Sequence, residues 1–175
     1  MHDQKKLNEY FSKHWTPAKN RGISSYEVIA QKLDKQAYIL DVGCGSNPLR
    51  NSFPNLVGID PASDQAHIKC TIEEYQPDRL FDIALCLGSI NFGNIDIIES
   101  QVGKVVNCLR ENSKIYWRLN PGRQDHNNDQ CREITFFPWT LETLEHFALK
   151  YNYIQLGQLE HHTTQPRYYA EWKRL

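Results

Sequence analysis

The sequence predicts an α/β fold on a parallel sheet, and three observations carry that reading. Short apolar runs closed by turn residues recur from residue 37 onward, which is how strands buried on both faces read. Helical periodicity separates them, as in Ile98, Val102, Val105, Val106 and Leu109. The first run, residues 37–42, passes directly into Gly43, Cys44 and Gly45, a turn of the kind that ends a first strand beside a ligand crevice. Strands alternating with helices favour parallel pairing through right-handed crossovers.

The elements follow in chain order. Residues 4–14 suit a short polar helix, stopped by Trp15, Thr16 and Pro17. Ser24 and Glu27 have the spacing of a capping box, in which each side chain satisfies an orphan backbone amide of the first turn, so a second helix begins there with Val28, Ile29 and Leu33 on its apolar side. Strands are expected at 37–42, 56–59, more weakly at 67–70, and at 81–87. A helix over 95–110 tolerates Gly103 at about 1 kcal/mol. Residues 114–119 read as a strand ended by Asn120, Pro121 and Gly122, and a polar loop runs on to Arg132. Pro138 and Thr140 open a helix to about residue 150. Strands at 153–156 and 167–172 finish the chain.

Composition bounds what such a fold does. At 175 residues the chain is one domain's worth. No repeat or linker divides it, so residues 1–36 are expected to form N-terminal helices, or a lid, packed on a core domain of 37–175. Lysine plus arginine (20) balances aspartate plus glutamate (21), which gives no field for gripping a nucleic-acid backbone. The longest apolar run, residues 83–87, is far short of the roughly 18 needed to span a bilayer. From the polar start, no signal peptide is expected. Five cysteines without a C-x-x-C pair suit a reducing, cytoplasmic setting.

The glycine turn narrows the ligand. Glycine admits positive φ and lets a ligand lie against bare backbone. The next strand ends in Asp60, 15 residues after Gly45, where a carboxylate can accept from both hydroxyls of a ribose. A dinucleotide fingerprint needs a third glycine where this chain has Pro48, and a phosphate-binding P-loop needs Gly-Lys-Ser/Thr where Gly45 is followed by Ser46 and Asn47. An acid just before the turn, Asp41, suits a cofactor with an ammonium group and no phosphate. S-adenosylmethionine has that chemistry.

ILDVGCG (39–45), VGID (57–60) and FDIALCLGSINF (81–92) together resemble the class I S-adenosylmethionine-dependent methyltransferase superfamily, as do LRENSKIYWRLNPG (109–122) and FPWTLETLEHFALKYNY (137–153). The resemblance spans about 37–175. It implies a three-layer αβα, Rossmann-like fold with a seven-stranded, mostly parallel sheet whose last strand is antiparallel. It also implies S-adenosylmethionine as cofactor. Carried over by position, Asp41, Gly43, Cys44 and Gly45 would line the methionine part, and Asp60 with Pro61 the ribose. Cys70 and Thr71 would stand at the adenine edge, and Leu87, Gly88 and Ser89 near the methionine end. Asn91, with Ser89 and Phe92, would face the methyl group.

Methyl transfer from a sulfonium requires mainly that the nucleophile be held in line, without a metal. An alcohol or protonated amine acceptor also needs a base, and Asp125 and His126 in the loop after the fifth strand are the candidates. Gly88-Ser89-Ile90-Asn91 departs from the Asp/Asn-Pro-Pro-aromatic tetrad of base-amine methyltransferases, and no Pro-Cys dipeptide serves a cytosine-C5 mechanism. The expected acceptor is therefore a small molecule, or a compact group on a larger partner. The alternative is a non-catalytic, methyltransferase-like binding or scaffold subunit. Phe136, Phe137 and Trp139, and separately Tyr10, Phe11 and Trp15, read either as core or as the walls of a substrate site.

Overall fold

The computed structural model describes residues 4–15, 24–121, 131–157 and 167–175. Among them, strands β1 (Ile39–Val42), β2 (Leu56–Ile59), β3 (Phe81–Cys86) and β4 (Leu109–Leu119) pair in parallel, in the spatial order β2, β1, β3, β4. The chain returns through β5 (Tyr153–Gly157) and β6 (Tyr168–Arg174). β6 lies antiparallel against β4, and β5 pairs antiparallel on the outer side of β6. This is the α/β sheet expected, with an antiparallel last strand, but with six strands among the described residues instead of seven.

The missing strand is the one expected at 67–70, which makes a single parallel bridge, Ile59 to Ile68. The reason is a side chain. The Gly58 N–H donates to His67 Nδ1 at 2.9 Å, while the Gly58 carbonyl accepts from the amides of both His67 and Ile68. An imidazole thus takes the place that a backbone carbonyl would hold in a ladder, and pairing stops after Ile68 accepts from the Asp60 amide. Between β1 and β2, turns at 45–55 stand where a regular helix would follow the glycines; their Leu49 and Phe53 are buried.

Period-two alternation sends successive strand residues to opposite faces. Leu40, Val42, Ala84, Ile115, Trp117 and Leu119 pack under helices α3 (Ile95–Asn107) and α4 (Leu141–Lys150). Each helix opens on a side-chain cap, Asn94 accepting from the Ile97 amide and Thr140 from the Thr143 amide. On the other face Ile39, Ile83, Leu85 and Tyr116 pack with Ile29 of α2 (Ser25–Ala30), whose Ser24–Glu27 capping box forms as expected. The strand read at 114–119 begins earlier, at Leu109, because α3 stops at Asn107.

Helix α1 (Gln4–Glu9) continues as a π-helical turn through Tyr10–His14. It packs away from both large cores, where Tyr10 and Phe11 meet Phe92, Cys131 and Phe136. No helix of the described residues is long and apolar enough to cross a membrane.

Candidate functional site

The parallel strands β1, β3 and β4 end side by side, and the face they turn toward α2 carries the site. Asp41 follows Ile39 on that face of β1, Arg118 follows Tyr116 on that face of β4, and Leu87 and Gly88 continue β3 between them. Asp41 is fully buried. Its Oδ1 accepts from the Tyr26 hydroxyl at 3.1 Å, and its Oδ2 has no partner among the described residues. Burial raises its pKa from 3.8 to about 7; the Tyr26 hydrogen bond opposes the rise and the nearby Asp60 carboxylate adds to it. Tyr26 is itself pushed up by burial and then by the Asp41 charge, with the Arg118 guanidinium pulling the other way. Burial likewise raises the Cys44 thiol, helped by Asp41 and Asp60.

The turn after β1 curls over the end of β2, because the amides of Gly43 and Cys44 both donate to the Ile59 carbonyl, at 2.8 and 3.1 Å. Gly43 has φ +69°, and a Cβ there would lie 2.4 Å from Ser89 Cβ, so the segment after β3 fits only against a glycine. Gly45, at φ +54°, is different. A Cβ on it would meet nothing within 4 Å, so the turn keeps one bare, open face.

Asp60 stands at the end of β2 as expected, and it clamps the turn. Its Oδ2 accepts from the Gly45 amide at 3.0 Å, and its Oδ1 from the amides of Ala62 and Ser63 at 2.8 and 2.9 Å. Ser63 Oγ closes the loop by donating to the Gly45 carbonyl at 2.5 Å. Pro61 begins the turn that brings Ala62 and Ser63 back.

The other expected residues divide. Leu87 is buried in the α2-side core. Gly88, at φ +123°, lies so close to Arg118 that a Cβ would stand 2.8 Å from Nη2. Ser89 Oγ is buried with no partner among the described residues. Asn91 is fully buried, accepts the Asn120 amide on Oδ1 at 2.8 Å, and leaves Nδ2 unpartnered among the described residues. It therefore braces the end of β4 against the segment after β3. Cys70 packs at the margin of the α3-side core. The Thr71 hydroxyl is engaged locally, bonding Glu74 Oε2 at 2.9 Å. Asp125 and His126 lie outside the described residues. Among the aromatics, Phe137 and Trp139 are core, with Trp139 Nε1 donating to the Ile90 carbonyl, and Phe136 packs on Phe92 at 5.3 Å.

Sequence reasoning passed over Ser25, Tyr26 and Arg118. Ser25 and Tyr26 carried no signal beyond following the cap Ser24. Arg118 carried one: it is a lone charge inside the apolar run Ile115–Leu119, at the carboxyl end of a central strand.

This arrangement of strands, glycine turn and following acid is the class I S-adenosylmethionine-dependent methyltransferase fold. Magnesium protoporphyrin IX methyltransferase from Synechocystis PCC 6803, solved with bound S-adenosylmethionine, superposes over 100% of this chain and 98% of its own at TM-score 0.71 and 10% identity. A 1,6-didemethyltoxoflavin N1-methyltransferase from Burkholderia thailandensis, with 1,6-didemethyltoxoflavin and S-adenosylhomocysteine bound, matches 84% of this chain and 75% of its own at 0.68 and 12%. A methyltransferase from Clostridium acetobutylicum matches 98% and 92% at 0.62 and 15%. No family model matches the sequence, and no curated protein does.

Proposed function

We propose that this chain is an S-adenosylmethionine-dependent methyltransferase whose acceptor is a small molecule, or a compact group on a larger partner. The observation that carries the reading is Asp41, a fully buried carboxylate at the glycine turn with Oδ2 unpartnered among the described residues. A buried acceptor left unmade costs about 1–3 kcal/mol, and a ligand ammonium would satisfy it. The residues fit the cofactor elsewhere too. Gly45 offers a bare backbone face, and Asp60 Oδ2, which takes one amide, has a second acceptor position for a ribose hydroxyl.

When bound, S-adenosylmethionine supplies a methyl group on a sulfonium whose leaving group is a neutral thioether. The chain's own residues then bind, orient and exclude water. Asp41 and the 43–45 turn would fix the methionine end, Leu87, Gly88 and Ser89 would back it, and Cys70 would flank the adenine. Asn91 would act by holding the ends of β3 and β4 in register instead of touching the methyl. Asp125 or His126 would take the acceptor's proton. Similarity to methyltransferases solved with small-molecule acceptors supports that substrate class.

The test is calorimetric titration of the purified chain with S-adenosylhomocysteine and with NAD, followed by a screen of acceptors with labelled S-adenosylmethionine. Micromolar binding of S-adenosylhomocysteine without NAD binding, and label transferred to an acceptor, is the expected result. A folded protein that binds neither ligand would overturn the cofactor assignment. Binding without transfer to any acceptor would favour the non-catalytic subunit.

A further inference from the structure

One hydrogen bond at the edge of the sheet exists only while an imidazole nitrogen carries no proton. Gly58 of β2 is buried, and its amide donates to His67 Nδ1 at 2.9 Å. The space beside Gly58 is closed, since a Cβ there would lie 2.9 Å from Asn47 Nδ2 and 3.0 Å from Cys44 Sγ. Backbone bonds flank this contact: the Gly58 carbonyl accepts from the amides of His67 and Ile68, and the Asp60 amide donates to the Ile68 carbonyl at 3.2 Å. Asn47 Nδ2 adds a bond to the Gln65 carbonyl at 3.1 Å. Of all these acceptors, only the imidazole can be blocked by a proton within the ordinary range of pH.

We propose that His67 is an acid-operated latch: as a neutral imidazole it ties residues 65–68 to β2, and on taking a proton it releases Gly58 and loosens the nucleoside end of the cofactor site at Asp60 and Cys70. This rests on the methyltransferase reading and adds a control to it. An amide that donates to Nδ1 requires the neutral tautomer with its hydrogen on Nε2, whereas an imidazolium has N–H on both nitrogens and would set two donors face to face. The link to the site runs through the next residue, because the Ile68 carbonyl accepts from the amides of both Asp60 and Cys70. The residue as a whole is exposed, so protons reach it from solvent. Partial burial of the ring, and then the Arg50 guanidinium on the turns after β1, hold its pKa below the ordinary 6.5. The charges on its own segment, Asp64 and Lys69, pair with each other at 2.7 Å, and the Asp60 carboxylate at the end of β2 is taken up by three amides. Above pH 6.5 the imidazole is neutral in folded and unfolded chains and the latch is closed. As pH falls below that value the unfolded chain takes up its proton first, so the native state loses relative stability, and the latch opens as the native ring is protonated in turn.

The experiment follows the affinity of 5′-methylthioadenosine from pH 7.5 to pH 5 in wild type and in His67→Asn, whose carboxamide oxygen can accept the Gly58 amide at any pH. The probe has no ammonium group, which keeps the titration of Asp41 out of the comparison. Wild type should lose affinity by about 2- to 10-fold over that range, the worth of one net hydrogen bond, while His67→Asn stays flat. A flat wild type, or an equal slope in the variant, would overturn the proposal. Nitrogen-15 NMR of wild type reads the latch without a variant, and so carries the test should His67→Asn fail to fold. The expected result is the Nε2–H tautomer at pH 7.5, a ring that titrates below 6.5, and exchange protection of the Gly58 amide lost over the same range. A ring titrating at or above 6.5, or a Gly58 amide indifferent to its titration, would overturn the proposal. A folded wild type that does not bind the probe at pH 7.5 would remove the methyltransferase reading and the latch's tie to a cofactor, while the NMR titration still decides whether His67 holds Gly58.

Discussion

Tyr26 donates its hydroxyl hydrogen to Asp41 Oδ1 across 3.1 Å, and through that one bond a helix near the amino terminus closes over the buried end of the first strand. The carboxyl is fully buried, and its other oxygen has no partner among the described residues. Stability should therefore depend on whether this group holds a proton.

Asp41→Asn tests that dependence directly. The native carboxyl keeps its proton to about pH 7 against an ordinary 3.8. Below the lower value both folded and unfolded chains are protonated at this position, and the native state gains its full contribution. As pH rises through the window the unfolded chain releases its proton first, so the native state loses relative stability until about pH 7. The neutral variant lacks this loss. Thermal melts should show Asp41→Asn and wild type alike near pH 4, with the variant several degrees more stable at pH 8.

Tyr26→Phe removes the donor while keeping the ring. It should cost about 1–3 kcal/mol at pH 8, where the carboxylate would be charged and short of its partner. Because the tyrosine hydrogen bond holds the Asp41 pKa down, its removal should also move the pH midpoint upward. Urea unfolding at pH 5 and pH 8 measures both effects; equal losses at the two values would show that Tyr26 contributes only packing.

At Gly43 two costs can be separated. Gly43→Ala imposes a side chain at φ +69° and drives its Cβ to 2.4 Å from Ser89 Cβ. Adding Ser89→Gly removes the second conflict and leaves the first, which is worth about 1 kcal/mol. The double variant should thus be more stable than Gly43→Ala alone and less stable than Ser89→Gly. A double-mutant cycle by denaturant unfolding reads the coupling.

Asn91→Ala would strand the buried Asn120 amide that now donates to Oδ1 at 2.8 Å. The expected loss is about 1–3 kcal/mol of stability. If Asn91 acts by bracing the ends of β3 and β4, cofactor affinity should change less than stability does. A selective loss of S-adenosylhomocysteine binding with an unchanged melting temperature would instead place the side chain against the ligand.

Much of this was legible from residues near each other in the chain. The apolar runs at 56–59 and 81–87 became β2 and β3, and the Ser24–Glu27 spacing became a formed capping box, because strand burial and helix capping are local demands on sequence. The glycines at 43 and 45 were read as a turn of positive φ, and both have it. Asp60 was read from its place after β2. The structure adds that its oxygens also serve backbone amides of Gly45, Ala62 and Ser63.

The third strand failed where the pattern was weakest, because the His67 ring, and not a backbone carbonyl, accepts from the Gly58 amide. Nothing in an apolar pattern records which acceptor a backbone donor will choose. By itself, then, the sequence determined the alternating elements, the glycine turn and the acid that follows it, since each is specified by neighbours within a few positions. Only the tertiary structure decided that Tyr26 would cap Asp41 and that Arg118 would lie across Gly88. Those contacts join residues 15 and 30 positions apart on different elements, and strand order and register, which set them, follow from how the whole sheet packs.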